Sequence, residues 1–271
     1  MAFRRARNPD GRMALADHLR ELRRRILIAA IALLAAAIGG WFLYDTVYDH
    51  LTEPLLAIAR QRGDEQSIAL NFAGLTAAFS QRVSISIWLG FILSSPVWLY
   101  ELWAFIVPGL TKRERRISLA FIAATVPLFL GGCYFAYTTL PKAVQLLISF
   151  TPEGAVNYPE AALYFSFVTR FIVVFGLAFL MPVFLVALNV AHVLPASVMR
   201  RTWRPAFLII FVFAAVATPT PDPFTMFLLA IPLCVLYLAA LGVATIIDRR
   251  RSRNRPSWAD EELADDQASS L

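Results

Sequence analysis

Apolar residues along this chain come in long blocks, and polar residues are confined to the short stretches between them. Six blocks stand out: Ile26–Tyr44, Val83–Val107, Ile117–Leu140, Tyr164–Val190, Trp203–Thr218 and Phe224–Ile247. A helix rises about 1.5 Å per residue, so the second, third, fourth and sixth blocks can cross a hydrocarbon core of about 30 Å. The fifth reaches only about 24 Å. The pattern predicts an all-α polytopic membrane protein with six transmembrane helices, the last two short, and local thinning of the bilayer beside them. Pro96, Pro127, Pro182 and Pro232 fall inside blocks and predict kinks that make the bundle concave. Upstream of the first block, Leu15, Leu19, Leu22 and Ile26 recur at helical spacing, which predicts an amphipathic helix at the membrane surface. The chain thus divides into an amphipathic segment (1–25), a six-helix domain (26–247) and a polar, acidic, disordered tail (248–271). The connection after block one is long and has room for short helices. The one before block six, Pro219-Thr220-Pro221-Asp222-Pro223, reads as a rigid turn.

Composition agrees with the pattern. AVILMFWYC residues make up 58% of the chain and charged residues 16%, which excludes an ordinary soluble domain. The charges also give an orientation. Twenty of the 25 Lys and Arg residues precede block one, separate blocks two and three or four and five, stand at the start of block five (Arg204), or follow block six. Only Arg60, Arg62, Arg82 and Lys142 fall on the other side, and Arg170 lies within block four. This alternation predicts both termini in the cytoplasm. The basic residues therefore signal orientation, and no nucleic-acid partner is expected. Cys133 and Cys234 lie inside apolar blocks and announce no disulfide framework. The first block runs too long for a signal-peptide core, so it is expected to remain as an anchor.

The chemistry of common enzymes is missing from the sequence. There is no phosphate-binding G-x-x-x-x-G-K-[ST] loop, no H-E-x-x-H and no G-x-S-x-G. His18, His50 and His192 are far apart in sequence, so neither a metal nor another cofactor is expected. The informative residues are instead charges at block edges. Glu21, just before block one, can form a helical pair with Arg24 or Arg25. Glu114, the one acid in Lys112–Arg116, fits a capping box that begins at Thr111. Both acids nevertheless stand at the same polar–apolar boundary, where two carboxylates can take guanidinium forks from a basic peptide, with arginine preferred over lysine. Asp222 can cap block six, with Pro223 following it. Glu101 and Arg170 are charges within apolar blocks, which by default mark function; Arg170 can also snorkel toward Glu160.

These residues fall within a set of stretches that resembles the TatC family of twin-arginine protein translocase subunits. The stretches are His18-Leu19-Arg20-Glu21-Leu22-Arg23, Glu53-Pro54-Leu55, Ser95-Pro96-Val97-Trp98-Leu99-Tyr100, Trp103-Ala104-Phe105-Ile106-Val107-Pro108-Gly109-Leu110 and Glu114-Arg115-Arg116. Tyr164-Phe165-Ser166-Phe167, Phe175-Gly176, Pro182-Val183 and the Thr218-Pro219…Asp222-Pro223-Phe224 turn continue the series in family order. The resemblance implies a bacterial cytoplasmic-membrane protein that binds twin-arginine signal peptides of folded cargo. It implies assembly with TatA/TatB-type single-span subunits and with further copies of itself, and transport driven by the proton-motive force. By motif, Glu21 and Glu114 would bind the peptide arginines, and Arg23 and Phe105 would shape that site. Pro54 and Asp222 match positions important for the outer face, assembly or transport, and Thr218 and Thr225 a region that contacts the small partner. The chain departs from the pattern at Leu180 and Leu238, where relatives often carry glutamate, and at Glu101 and Arg170; Glu101 is one candidate to supply a polar group from another helix. A secondary transporter of a small solute or ion is the competing class. It would usually show internal repeats, and none is evident.

Overall fold

The computed structural model describes residues 15–61, 70–106, 112–152, 158–218 and 223–253. Among them the chain is helical apart from short connections. The elements are α1 (Leu15–Gln61), α2 (Ala77–Leu93), α3 (Ser95–Ile106), α4 (Lys112–Ser149), α5 (Ala161–Ala178), α6 (Met181–Val190), α7 (Ala196–Arg201), α8 (Trp203–Ala217) and α9 (Pro223–Arg253).

Helix α1 corrects the expected loop after block one. It runs without a break for 47 residues, about 70 Å by helical rise. Asp45, Asp49 and Glu53 end the apolar block but not the helix. Tyr44, Leu51, Leu55, Ile58 and Ala59 remain on one buried stripe of it, and that periodic stripe holds the helix against the rest of the protein. Pro54 lies buried inside it. Thr52 Oγ1 donates to the carbonyls of Tyr48 at 2.9 Å and Asp49 at 3.1 Å just upstream. At the other end α1 passes directly from the predicted amphipathic segment into block one.

One of the predicted kinks is an outright break and another a brief interruption of a helix that carries on. Block two splits at Ser94 into α2 and α3, bent by 56°, with Pro96 in the first turn of α3, where its missing N–H costs nothing. Block four is interrupted at Phe179–Leu180, between α5 and α6, again with a proline, Pro182, in the first turn of the second helix. Pro127 and Pro232 instead sit inside the continuous helices α4 and α9.

Four helical stretches are long and apolar enough to cross a membrane: His18–Arg60, Ala123–Ser149, Ala161–Val190 and Pro223–Arg253. The bent α2–α3 pair makes a fifth, and α8 is a shorter apolar helix of 15 residues. The surface is inside-out by soluble standards. On α1 alone, Ile31, Leu34, Ile38 and Phe42 form an uncovered stripe, which suits hydrocarbon and not water.

Glycines set two helix crossings. A Cβ on Gly40 would meet the Ser86 carbonyl at 2.8 Å, and one on Gly90 would meet the Ala37 backbone at 2.7 Å, so α1 and α2 touch backbone to backbone. In the same way a Cβ on Gly132 would fall 2.7 Å from the Phe175 carbonyl, and one on Gly176 would fall 2.5 Å from Cys133 Sγ, at the α4–α5 crossing. Small residues permit this approach, and in lipid close packing of this kind drives helix association. Polar ties complete the frame. Tyr164 Oη donates to the Leu51 carbonyl at 2.6 Å. Asn71 and the Pro159–Ala161 segment exchange two backbone bonds that join the loops ahead of α2 and α5. Asp248, on α9, accepts from the Ala196 N–H at 2.8 Å and from Asn189 Nδ2 at 3.2 Å, so one carboxylate caps α7 and fastens the α6–α7 turn.

Candidate functional site

The N-terminal end of α1 lies against the C-terminal end of α3, and the two run antiparallel. His18, Glu21 and Arg25 share one face of α1 because they are three and four residues apart; Glu101 and Phe105, four apart, share one face of α3. Antiparallel pairing then matches Arg25 with Glu101 and His18 with Phe105. Arg25 Nε and Nη2 donate to Glu21 Oε1 at 3.1 and 2.6 Å, and Arg25 Nη1 donates to Glu101 Oε2 at 2.8 Å. One turn away the His18 and Phe105 rings stack with centroids 4.6 Å apart. The three charged side chains are 21%, 25% and 12% exposed for Arg25, Glu21 and Glu101. They are sheltered enough to escape most ionic screening, yet still open to an incoming group.

Two carboxylates and one guanidinium leave this cluster net negative. Charge-assisted bonds to a planar fork are the strong kind. The arrangement therefore holds a guanidinium well and keeps carboxylate oxygens to spare.

The aromatic packing behind it explains why α3 stands where it does. The Trp103 ring is stacked between Phe121 of α4 and Phe184 of α6, with centroids at 5.6 and 5.3 Å. Trp98 stacks on Phe91 and meets Phe129 edge-on. Leu180 is buried beside Leu99, Phe129 and Cys133, an apolar nest that offers a carboxylate no partner. Leu238 is exposed on α9.

The remaining predicted residues are spread over the molecule. Arg23 is exposed on α1, close in sequence to the cluster. Glu114 lies in the first turn of α4, but its side chain is outside the described residues, as is all of Asp222. Thr218, at the C-terminal end of α8, and Thr225, near the start of α9, are both buried on either side of residues 219–222. Arg170 is nine residues into α5, about 14 Å along the helix. It is exposed and, among the described residues, forms no ion pair with Glu160. It lines a cavity of about 360 Å³ together with Trp88, Val173 and Thr218. Glu101 and Phe105 thus join Glu21, whereas Pro54, Arg170 and the two threonines belong to other parts of the protein.

Sequence reasoning had the i,i+4 pair of Glu21 with Arg25 as one alternative, but it missed the bridge to Glu101. Residues 25 and 101 are separated by 76 positions, and no local pattern sets the register of two helices that meet. Asp248 was also missed; the signal available was a lone acid directly ahead of a run of arginines.

Long apolar helices joined by short connections, with a charged cluster at one end of the bundle, define a multi-pass helical membrane protein. The family model described as Sec-independent protein translocase protein (TatC) matches residues 17–232. The Sec-independent protein translocase protein TatC of Xylanimonas cellulosilytica is 49% identical over 89% of this chain and 87% of its own length. That of Aquifex aeolicus is 35% identical over 88% and 98%. A crystal structure described as the twin arginine translocase receptor TatC in DDM superposes with a TM-score of 0.72 at 34% identity, covering 84% of this chain and 99% of the other. The chain belongs to the TatC family. It is a membrane-embedded component of a Sec-independent protein translocase, and so belongs to a protein-transport family.

Proposed function

We propose that this chain is the receptor and scaffold of a twin-arginine translocase in the bacterial cytoplasmic membrane. In this reading α1, α2–α3, α4, α5–α6, α8 and α9 are six spans with both termini cytoplasmic, as the distribution of lysine and arginine supports. The N-terminal end of α1 and the connection between α3 and α4 then face the cytoplasm. Glu21 and Glu114 bind the paired arginines of a signal peptide, and Arg23 and Phe105 shape the site around them. The observation that supports this most is the guanidinium of Arg25, held at hydrogen-bond distance by Glu21 and Glu101.

Pro54, Glu101, Arg170, Thr218, Asp222 and Thr225 serve assembly or transport. The partners are TatA/TatB-type single-span subunits and further copies of this chain, and the proton-motive force drives export of folded cargo. Pro54 fits such a role as a buried break in the hydrogen-bond ladder of α1. Arg170 fits it as an intramembrane cation whose charge is costly unless something outside this chain answers it. The competing transporter reading has no observation in its favour.

The test is binding of a synthetic Arg-Arg signal peptide to the solubilised chain. Glu21→Ala and Glu114→Ala each weaken it, with a larger loss for the Arg-Arg peptide than for a Lys-Lys peptide. Equal losses for the two peptides would refute bidentate recognition.

A further inference from the structure

A guanidinium already occupies the acidic cluster. Arg25 uses three of its N–H groups on two carboxylates contributed by different helices, Glu21 on α1 and Glu101 on α3. Its fork engages one oxygen of each acid, Glu21 Oε1 and Glu101 Oε2. The second oxygen of each has no protein partner among the described residues. An arginine from outside would find the same donors' targets, the same shelter and, one turn away, the stacked His18–Phe105 rings, on whose faces a guanidinium can lie.

We propose that Glu101 is a second anchoring carboxylate of the peptide site and that Arg25 is a resident guanidinium which the peptide's arginine displaces. The inference rests on the peptide-binding reading above and deepens it. Glu101 moves from the assembly group to the recognition group, and Arg25 sets the threshold for binding. While Arg25 holds both acids, only the fraction of molecules with the cluster open is competent. The apparent dissociation constant is raised by the inverse of that fraction. A lysine in the peptide competes poorly, because a single ammonium cannot match a fork that spans two carboxylates. Arg25 thereby acts as a specificity-determining residue: it excludes ligands that bind the acids less well than it does.

The experiment uses the full chain in detergent, with a fluorescent synthetic peptide carrying Arg-Arg ahead of an apolar stretch, and its Lys-Lys counterpart. Arg25→Gln is expected to bind the Arg-Arg peptide at least threefold tighter and to narrow the preference for Arg-Arg over Lys-Lys. Glu101→Gln is expected to bind Arg-Arg at least threefold more weakly, with little change for Lys-Lys. Since Arg25→Gln leaves Glu101 without its counterion and can compromise folding, Arg25→Lys is the second variant. It keeps the charge but loses the fork, and tightens binding by a smaller factor. Unchanged or weaker binding by whichever Arg25 variant elutes as a monodisperse species overturns the displacement proposal, and unchanged binding by Glu101→Gln overturns its anchoring role. Glu114→Ala distinguishes the two levels. If it weakens binding while the Arg25 and Glu101 variants leave binding unchanged, the displacement proposal fails and the receptor reading stands. If neither Glu114→Ala nor Glu21→Ala has any effect, both fail.

Discussion

Alanine at Gly132 and alanine at Gly131 should move stability in opposite directions, although the two positions are adjacent on α4. At Gly132 a new Cβ would lie 2.7 Å from the Phe175 carbonyl oxygen and 2.8 Å from the Phe179 side chain. The first of these is backbone within α5 and cannot swing away, so the helices must separate. Overpacking of this kind costs about 1–3 kcal/mol. At Gly131 nothing lies within 4 Å of the added methyl. Alanine there only removes backbone freedom from the unfolded chain, a gain of about 0.5–1 kcal/mol. The two variants should therefore differ by about 1.5–4 kcal/mol, a factor of roughly ten to several hundred in the folding equilibrium. Reversible unfolding in mixed micelles, followed by tryptophan fluorescence, measures it. Gly176→Ala reports on the same crossing from α5, where Cys133 Sγ and the buried Phe129 ring stand in the way, and it should side with Gly132→Ala. If both α4 variants shift the same way, the α4–α5 crossing is not set by backbone contact and the packing argument is wrong.

Other outcomes follow from single interactions. Asp248→Ala removes the cap of α7 and leaves buried Asn189 short of a partner, so the same unfolding assay should show a loss of about 1–3 kcal/mol. Tyr164→Phe deletes the bond to Leu51 and should cost about 1 kcal/mol, with the fold retained by circular dichroism. Arg170→Leu should stabilise the isolated chain, because an intramembrane arginine costs about 2.5–3.5 kcal/mol at the bilayer centre. On the assembly reading it should also lower recovery of single-span subunits in a pull-down; unaltered recovery would remove Arg170 from the interface.

Hydropathy located the helices because each buries or exposes apolar surface over a whole block, and the break and the interruption had proline signals at Pro96 and Pro182. The same measure failed beyond Tyr44, where Asp45, Asp49 and Glu53 face away from a buried stripe that keeps its helical period through Ala59. Period, and not mean hydropathy, was the signal there. At the site, Glu21 was legible as an acid among arginines at a helix edge, and Phe105 only through family resemblance. Joining Glu101 to them needed the α1–α3 register. That register is fixed by the glycine contact of α1 with α2, the bend at Ser94 and the stacking of Trp103, and none of these is local in sequence.

Where an export peptide touches this protein is the central question. A photoreactive side chain at exposed position 24, one turn of α1 from Glu21, addresses that directly, with a second at exposed Phe150, just past the far end of α4, as the control. A crosslink from position 24 to an Arg-Arg signal peptide is expected, one that excess unlabelled Arg-Arg peptide removes and Lys-Lys peptide does not, with none from position 150. A crosslink as strong from position 150, or one at 24 that survives replacement of both Glu21 and Glu101 by glutamine, would contradict peptide binding at this end of the bundle.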